Sequence, residues 1–210
     1  MLYNNDNICT VGLTGMSGAG KTTACEVFRE HGFHIIDCDK VAREVVKCGR
    51  PALADIAAHF GSGILTPDGG LDRKKLGGIV FSDKQKLAEL DGLIYPFIHF
   101  EIIRELTEFS GTGERLFLLD APTLFESGAD IFCDCIVSVT ADISVCRERI
   151  MLRDGLTVGQ AEKRLLSQHD AEFYRERSDH CAENNGDREQ FAAGLAQIAD
   201  NIRRKILPAL

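Results

Sequence analysis

A glycine-rich segment between a short apolar run and a helical pattern constrains this chain more than any other feature. Residues 8–14 are apolar and rich in β-branched side chains, which predicts a buried strand. Residues 15–22 then read GMSGAGKT, and apolar residues recur at helical spacing from there to Gly32. We call residues 15–22 the glycine loop. The sequence therefore predicts a strand, a tight loop and a helix in direct succession.

The glycine loop has the spacing G-x-x-x-x-G-K-T, and this spacing is suited to binding phosphate. Its glycines let backbone N–H groups turn inward around phosphate oxygens, and the positive end of the following helix points at the same place. Lys21 is then expected to bridge the β- and γ-phosphates of ATP, and Thr22 to offer its hydroxyl to Mg²⁺. A purely structural turn is the weaker alternative, because a strand and a helix flank the loop. The predicted ATP contacts are Gly15, Ser17, Gly18, Ala19, Gly20, Lys21, Thr22 and Thr23.

Strand and helix patterns alternate along much of the remaining chain. Apolar strands are predicted at 33–36, 116–120 and 135–140, and a weaker one near 180–184, ahead of a helix from 187 to about 206. Alternation of this kind predicts a three-layer α/β/α fold with a parallel central sheet.

Two stretches interrupt the alternation. Residues 47–115 contain no strong strand, and helical patterns recur there at 53–60, 87–94 and 97–109 between turns that contain Gly and Pro. Residues 141–179 contain an arginine-rich helix and then Thr157 and Gln160, which have the spacing of a capping box. We predict one domain, with a core of about 8–46, 116–140 and 180–210, a helical substrate lobe of about 47–115, and a lid of about 141–179.

Composition limits the partners. The formal net charge is −8 over 210 residues, which argues against a sequence-independent grip on nucleic acid, because such binding needs a broad excess of Lys and Arg. No apolar run is long enough to predict a membrane span. The eight cysteines form no C-x-x-C pair, which favours reduced thiols. We expect a cytoplasmic protein that acts on small molecules as a monomer or weak homo-oligomer.

Acidic residues follow two of the predicted strands. Asp37 and Asp39 come at the end of the second strand, where open α/β sheets bind their ligands, and one of them could accept a proton from an attacking hydroxyl or hold a metal. Asp39 capping the next helix is the alternative. Asp120 closes an apolar strand as a magnesium-binding acid does, although a solvated strand end fits the same pattern.

Arginines are concentrated in the predicted lid. Arg149 and Arg153 are four residues apart, so they share one helix face, and two guanidinium groups suit the charge of a transferring phosphoryl group. A solvated basic face near Glu148 and Asp154 is the alternative.

Other nucleotide-binding classes fit less well than a small-molecule kinase. A guanine-specific GTPase would normally carry an N-K-x-D run, which this chain lacks. A mechanical ATPase would more often place the loop in a larger, oligomer-forming module with an additional arginine finger. Two rivals remain open. One is a kinase with another acceptor, such as a nucleoside monophosphate, and the other is a regulatory module that binds ATP without transferring phosphate.

Several separated stretches together resemble dephospho-CoA kinase, over about residues 8–186. The matching positions are 13–23, 36–39, 41–43, 60–61, 68–76, 80–81, Pro96, Ile98, Pro122, 124–126, 149–154, Gln168, Asp179 and 184–186. Two positions depart from the family pattern. Tyr95 stands where the family usually has His before Pro, and Thr123 replaces the second Leu of a P-L-L run.

The resemblance implies a P-loop kinase with a nucleotide core, a helical lobe for the CoA-type substrate and a lid. It implies transfer of phosphate from ATP to the ribose 3′-hydroxyl of dephospho-CoA, which completes coenzyme A synthesis. The second acid of the D-x-D run, here Asp39, corresponds to the catalytic base. Arg149 and Arg153 match the lid arginines that close over ATP. Arg43 and Arg73 match positions that face the acceptor.

Overall fold

A computed structural model describes residues 8–206 of the chain. Its contacts divide the chain into two compact units. Among the described residues, one unit contains 8–36 together with 113–206, and the other contains Asp37–Thr112.

The first unit is built on a five-stranded parallel sheet flanked by helices, which confirms the predicted α/β fold. The strands are β1 Cys9–Gly15, β2 His34–Asp37, β3 Leu116–Asp120, β4 Cys135–Thr140 and β5 His180–Glu183. Within residues 8–206 the α-helices are α1 Lys21–Glu30, α2 Cys38–Glu44, α3 Pro51–Phe60, α4 Arg73–Val80, α5 Lys84–Ser110, α6 Ile143–Asp154, α7 Val158–Leu166, α8 Ala171–Arg177 and α9 Arg188–Ile206.

Strand β1 lies at the centre of the sheet, whose order is β2-β3-β1-β4-β5. Every residue of β1 is buried, because neighbouring strands and flanking helices cover it, and this explains its continuous apolar sequence. The chain supplies β2 and β3 on one side of β1, and later β4 and β5 on the other. Because strands are added first on one side of β1 and then on the other, a crevice opens at the carboxyl end of β1, where parallel sheets bind ligands. The glycine loop begins at this end of β1.

The second unit is helical, and its longest element corrects one expectation. Separate helices were expected at 87–94 and 97–109, whereas α5 runs without interruption through Pro96. Proline removes one backbone N–H and crowds the carbonyl four residues earlier, but does not have to end a helix that is held by packing. That packing comes from Ile98, Ile102 and Leu106, which are buried along one face of α5.

Two strands and one helix cap are confirmed as the sequence predicted them. Strands β3 and β4 have the predicted bounds, and the capping box of α7 is present at Thr157 and Gln160. All eight cysteines have free thiols. Within residues 8–206, no helix has both the length and the hydropathy that crossing a membrane requires. The substrate lobe and the lid remain predictions as functional divisions, and residues 207–210 of the predicted core lie outside the described part of the chain.

The proline in α5 gives a test of helix energetics. Pro96 is exposed, so Pro96→Ala should restore a backbone hydrogen bond without removing buried contacts. A helix-interior proline costs about 3 kcal/mol relative to alanine, and loss of its rigidity in the unfolded chain offsets about 0.4–1 kcal/mol of this. We expect the free energy of unfolding in denaturant to rise by about 2–2.6 kcal/mol.

The matched control is Pro51→Ala. Pro51 is also exposed but occupies the first turn of α3, where proline is favourable and no hydrogen bond is lost. It should give no gain in stability. An equal gain from both substitutions would contradict the explanation for α5.

Candidate active site

The glycine loop is held against the end of β4 by its own backbone. The N–H of Met16 donates to the carbonyl of Val139 at 3.0 Å, and the N–H of Ala19 donates to the carbonyl of Met16 at 3.0 Å. A Cβ atom at Gly15 would overlap the Val139 backbone, and φ at Gly15 is +142°. Only glycine therefore allows the loop to start so close to β4.

Helix α1 begins at Lys21 with its positive end uncompensated. Its N-cap residue, Gly20, has no side chain that could accept from the first N–H groups, and the first turn contains no acidic residue. Most helices place an oxygen-bearing side chain or an acid there. The start of α1 is thus suited to a bound anion such as phosphate.

A second close approach fixes the loop where it meets α1. Gly20 has φ of +112°, and a Cβ atom there would overlap the amide nitrogen of Asn184. That amide donates from Nδ2 to the carbonyl of Ala19 at 2.6 Å. Asn184, which directly follows β5, is 7% exposed. The chain after β5 therefore helps to set the shape of the glycine loop.

Lys21 forms an ion pair with Asp120, the last residue of β3. Each of the two side chains is 20% exposed. Burial, reinforced by the nearby Asp120 carboxylate, raises the pKa of the Cys25 thiol to about 12, so this thiol stays protonated at neutral pH. Asp120 thus lies beside the glycine loop in a partly buried position, which differs from a solvated strand end.

A cavity of about 300 Å³ adjoins the loop. The residues that line it are Gly20, Thr23, Glu26, Arg149, Asn184, Gly186, Arg188 and Phe191. They bring together polar groups, cations and an aromatic ring, and this volume is at the lower end of the usual range for small-molecule sites. We call this cavity the loop-side pocket. The sequence analysis did not identify the two lining residues of α9, Arg188 and Phe191, as site residues, because only helical periodicity marks them.

Arg149 and Arg153 have different surroundings, although they share a helix face. Arg149 donates from Nη1 to the carbonyls of Asn184 at 3.1 Å and Ala19 at 3.4 Å, and from Nη2 to Asn184 Oδ1 at 3.3 Å. Arg153 is exposed and pairs with the neighbouring Asp154 at 2.7 Å. Hence the guanidinium of Arg149 is fixed at the glycine loop. Arg153 instead has the surroundings expected of a residue on a solvated basic face.

The two candidate bases and the two arginines predicted to face the acceptor lie in the unit formed by Asp37–Thr112. Asp37 is the N-cap of α2, accepting from the N–H of Lys40 at 2.9 Å. Asp39 lies exposed in the first turn and has no capping role, which removes the alternative in which Asp39 caps α2. Arg43 in α2 and Arg73 at the start of α4 are both exposed.

Comparison with known proteins gives a consistent result. The family model for dephospho-CoA kinase matches residues 9–190. A dephospho-CoA kinase of Bacillus licheniformis is 34% identical over 190 residues, which cover 90% of this chain and 94% of that protein.

Two solved structures have the same fold over nearly their whole length. A crystal structure of a Thermus thermophilus protein has a TM-score of 0.78 at 27% identity, covering 93% of this chain and 98% of its own. A dephospho-CoA kinase from Campylobacter jejuni has a TM-score of 0.69 at 26% identity, covering 94% of this chain and 98% of its own. With a family model that matches most of its length, this chain belongs to the dephospho-CoA kinase family.

Proposed function

We propose that this protein transfers the γ-phosphoryl group of ATP to the ribose 3′-hydroxyl of dephospho-CoA, yielding coenzyme A and ADP. The observation that carries the proposal is the family match over residues 9–190, which contains the complete glycine loop with Lys21 at the start of α1. A cytoplasmic location and a monomeric or weakly oligomeric state belong to the same proposal.

ATP is assigned to the glycine loop and the loop-side pocket. The phosphates would lie at the start of α1 and on the loop N–H groups that do not already donate within the protein, unlike those of Met16, Ser17 and Ala19, with Lys21 supplying charge. The base and ribose would extend into the loop-side pocket, whose Arg149 and Phe191 offer a planar cation and an aromatic ring. Local cations are needed because the protein as a whole carries a net charge of −8.

Mg²⁺ is assigned to Thr22 and Asp120. Magnesium usually takes one or two protein oxygens and completes its shell with water and substrate phosphates, so it needs no dedicated cluster. Among the described residues, no group of three or more His, Cys, Asp or Glu could hold a metal ion. When bound, the ion would neutralise charge on the phosphates.

Asp39 is assigned as the general base. A base must be available to accept the proton of the 3′-hydroxyl, and Asp39 is an exposed carboxylate with no capping role. Arg43 and Arg73 are assigned to the acceptor, whose phosphates need cations. Arg149 is assigned to ATP because it is held at the glycine loop, and Arg153 is assigned to ATP on its match to the lid arginines of the family alone. Catalysis then depends mainly on positioning and on stabilisation of charge.

The reaction can be tested with a panel of acceptors. Purified protein, ATP and Mg²⁺ would be incubated with dephospho-CoA, AMP, CMP, adenosine or no acceptor, while ADP release and product mass are followed. We expect ADP only with dephospho-CoA, together with a product heavier by one phosphate. Turnover with another acceptor would replace the assigned substrate, and ATP binding without any turnover would indicate a regulatory module.

The two acids at the start of α2 provide a matched pair of variants. Asp39→Asn removes the proposed base and should lower kcat by about 10²–10⁴-fold without changing the Kd for ATP. Asp37→Asn should leave kcat unchanged, because asparagine caps a helix about as well as aspartate. Steady-state kinetics and ATP titration measure both effects. A wild-type kcat in Asp39→Asn would refute the assignment.

Substitutions of two neighbouring asparagines, Asn184 and Asn185, test the role of the loop-side pocket. Asn184→Ala removes the side-chain contacts to Ala19 and Arg149 and keeps the backbone one, so we expect about tenfold weaker ATP binding and a free energy of unfolding lower by about 1–3 kcal/mol. Asn185→Ala is the control, because Asn185 is exposed and contacts Asp142 instead of the glycine loop. Equal ATP affinities in the two variants would remove Asn184 from the site.

A further inference from the structure

The turn between α7 and α8 reaches the glycine loop through one side chain. The N–H of Ser17 donates to Oε1 of Gln168 at 2.9 Å, across 151 residues of sequence. Ser17 is the third residue of the glycine loop, and Gln168 lies two residues after the end of α7. A residue of the predicted lid region therefore contacts the backbone that is proposed to bind phosphate.

The turn that carries Gln168 is anchored on both sides. Before it, Leu165 of α7 is buried in the same apolar cluster as Met16 of the glycine loop. After it, the ring of His169 stacks on Phe173 with centroids 3.5 Å apart and planes 6° apart. His169 Nε2 also lies 3.5 Å from Glu126 Oε1. The side chain of Gln168 is thus presented from a well-supported backbone.

The hydrogen bond to Ser17 also determines how the Gln168 amide is oriented. A backbone N–H can only donate, so the oxygen of the carboxamide must face Ser17 and the nitrogen must face away. Nε2 of Gln168 is buried and has no hydrogen-bond partner within the described residues. Buried donors in native proteins are nearly always satisfied by protein, water or ligand. Nε2 belongs to the same amide group whose oxygen contacts the glycine loop. An acceptor bound at that loop would therefore satisfy the hydrogen-bonding capacity of Nε2.

The position of Ser17 indicates which part of a nucleotide could supply that acceptor. The loop-side pocket meets the glycine loop at Gly20, where α1 begins, whereas Ser17 is not among its lining residues. Because Gly20 lines this pocket and Ser17 comes three residues earlier in the loop, a phosphate chain that starts from a base in the pocket would reach Gly20 before Ser17. Its terminal phosphate is the part that approaches Ser17 and Gln168.

We propose that Gln168 is a specificity-determining phosphate ligand. Its Oε1 holds the Ser17 amide, and its Nε2 donates to an oxygen of the terminal phosphate of ATP. A neutral amide adds direction to this contact without adding charge, in contrast to Lys21. Gln168 thereby favours ATP over ADP. The inference rests on the proposed use of ATP and concerns binding, so it does not depend on the identity of the acceptor.

Two substitutions separate the functions of the two amide atoms. Gln168→Glu keeps the shape and an oxygen that accepts from Ser17, but replaces the donor with an anionic oxygen. Gln168→Met keeps approximate length and removes both polar atoms. Gln160→Glu is the control, because it introduces the same charge in α7 at an exposed site where glutamate also completes the capping box.

Isothermal titration with ATP and with ADP, in Mg²⁺ and without acceptor, measures the effect. We expect Gln168→Glu and Gln168→Met to weaken ATP binding by about 10–100-fold, as for loss of a hydrogen bond to a charged group, and to weaken ADP binding much less. Gln160→Glu should match the wild type for both nucleotides. Thermal unfolding of each variant checks that the fold is retained.

An equal loss of ATP and ADP affinity would overturn the proposal and leave Gln168 as a structural support of the loop. Unchanged affinities in Gln168→Glu would overturn it as well. If the wild-type protein binds ATP with the expected dependence on Gln168 but phosphorylates an acceptor other than dephospho-CoA, the proposed reaction fails and the role of Gln168 stands.

Discussion

The close approach of the glycine loop to the end of β4 is the constraint on which the site depends. Gly15 lies so near Val139 that no Cβ fits, and the Met16 N–H is bonded to the Val139 carbonyl. This contact turns the loop so that the Ala19 carbonyl meets the side chains of Asn184 and Arg149. One backbone contact between two strands thus brings the end of β5 and the middle of α6 to the same loop.

Charge is distributed unevenly around this loop in an otherwise acidic protein. Lys21 is partly buried and balanced by Asp120, and the start of α1 carries no acid of its own. Arg149 is held by carbonyl and amide oxygens, so its positive charge is not neutralised by a carboxylate in these contacts. Exposed pairs such as Arg153 with Asp154 contribute little to stability, because water and salt screen them. Local positive charge therefore persists where an anionic nucleotide is proposed to bind.

Sequence patterns predicted the parts of this structure that local chemistry determines. The continuous apolar runs of β3 and β4 and the capping box at Thr157 are local, and all three were found. The sequence did not predict that α5 continues through Pro96, because the burial of residues far along the helix outweighs the local cost of proline. Spacing alone could not assign the cap of α2, since Asp37 and Asp39 both suit a helix start.

Contacts between distant segments were beyond the reach of any local pattern. Gln168 and Ser17 are 151 residues apart, and only the packing of α7 and α8 on the core explains why they meet. Arg149 and Arg153 look equivalent in sequence, but Arg149 contacts Ala19 and Asn184, which are distant along the chain, whereas Arg153 pairs with its neighbour Asp154. A neutral amide at the loop would also solve a chemical problem that a further cation would not. Lys21 and Mg²⁺ attract any phosphate, whereas a single directed donor can distinguish a nucleotide by the length of its phosphate chain.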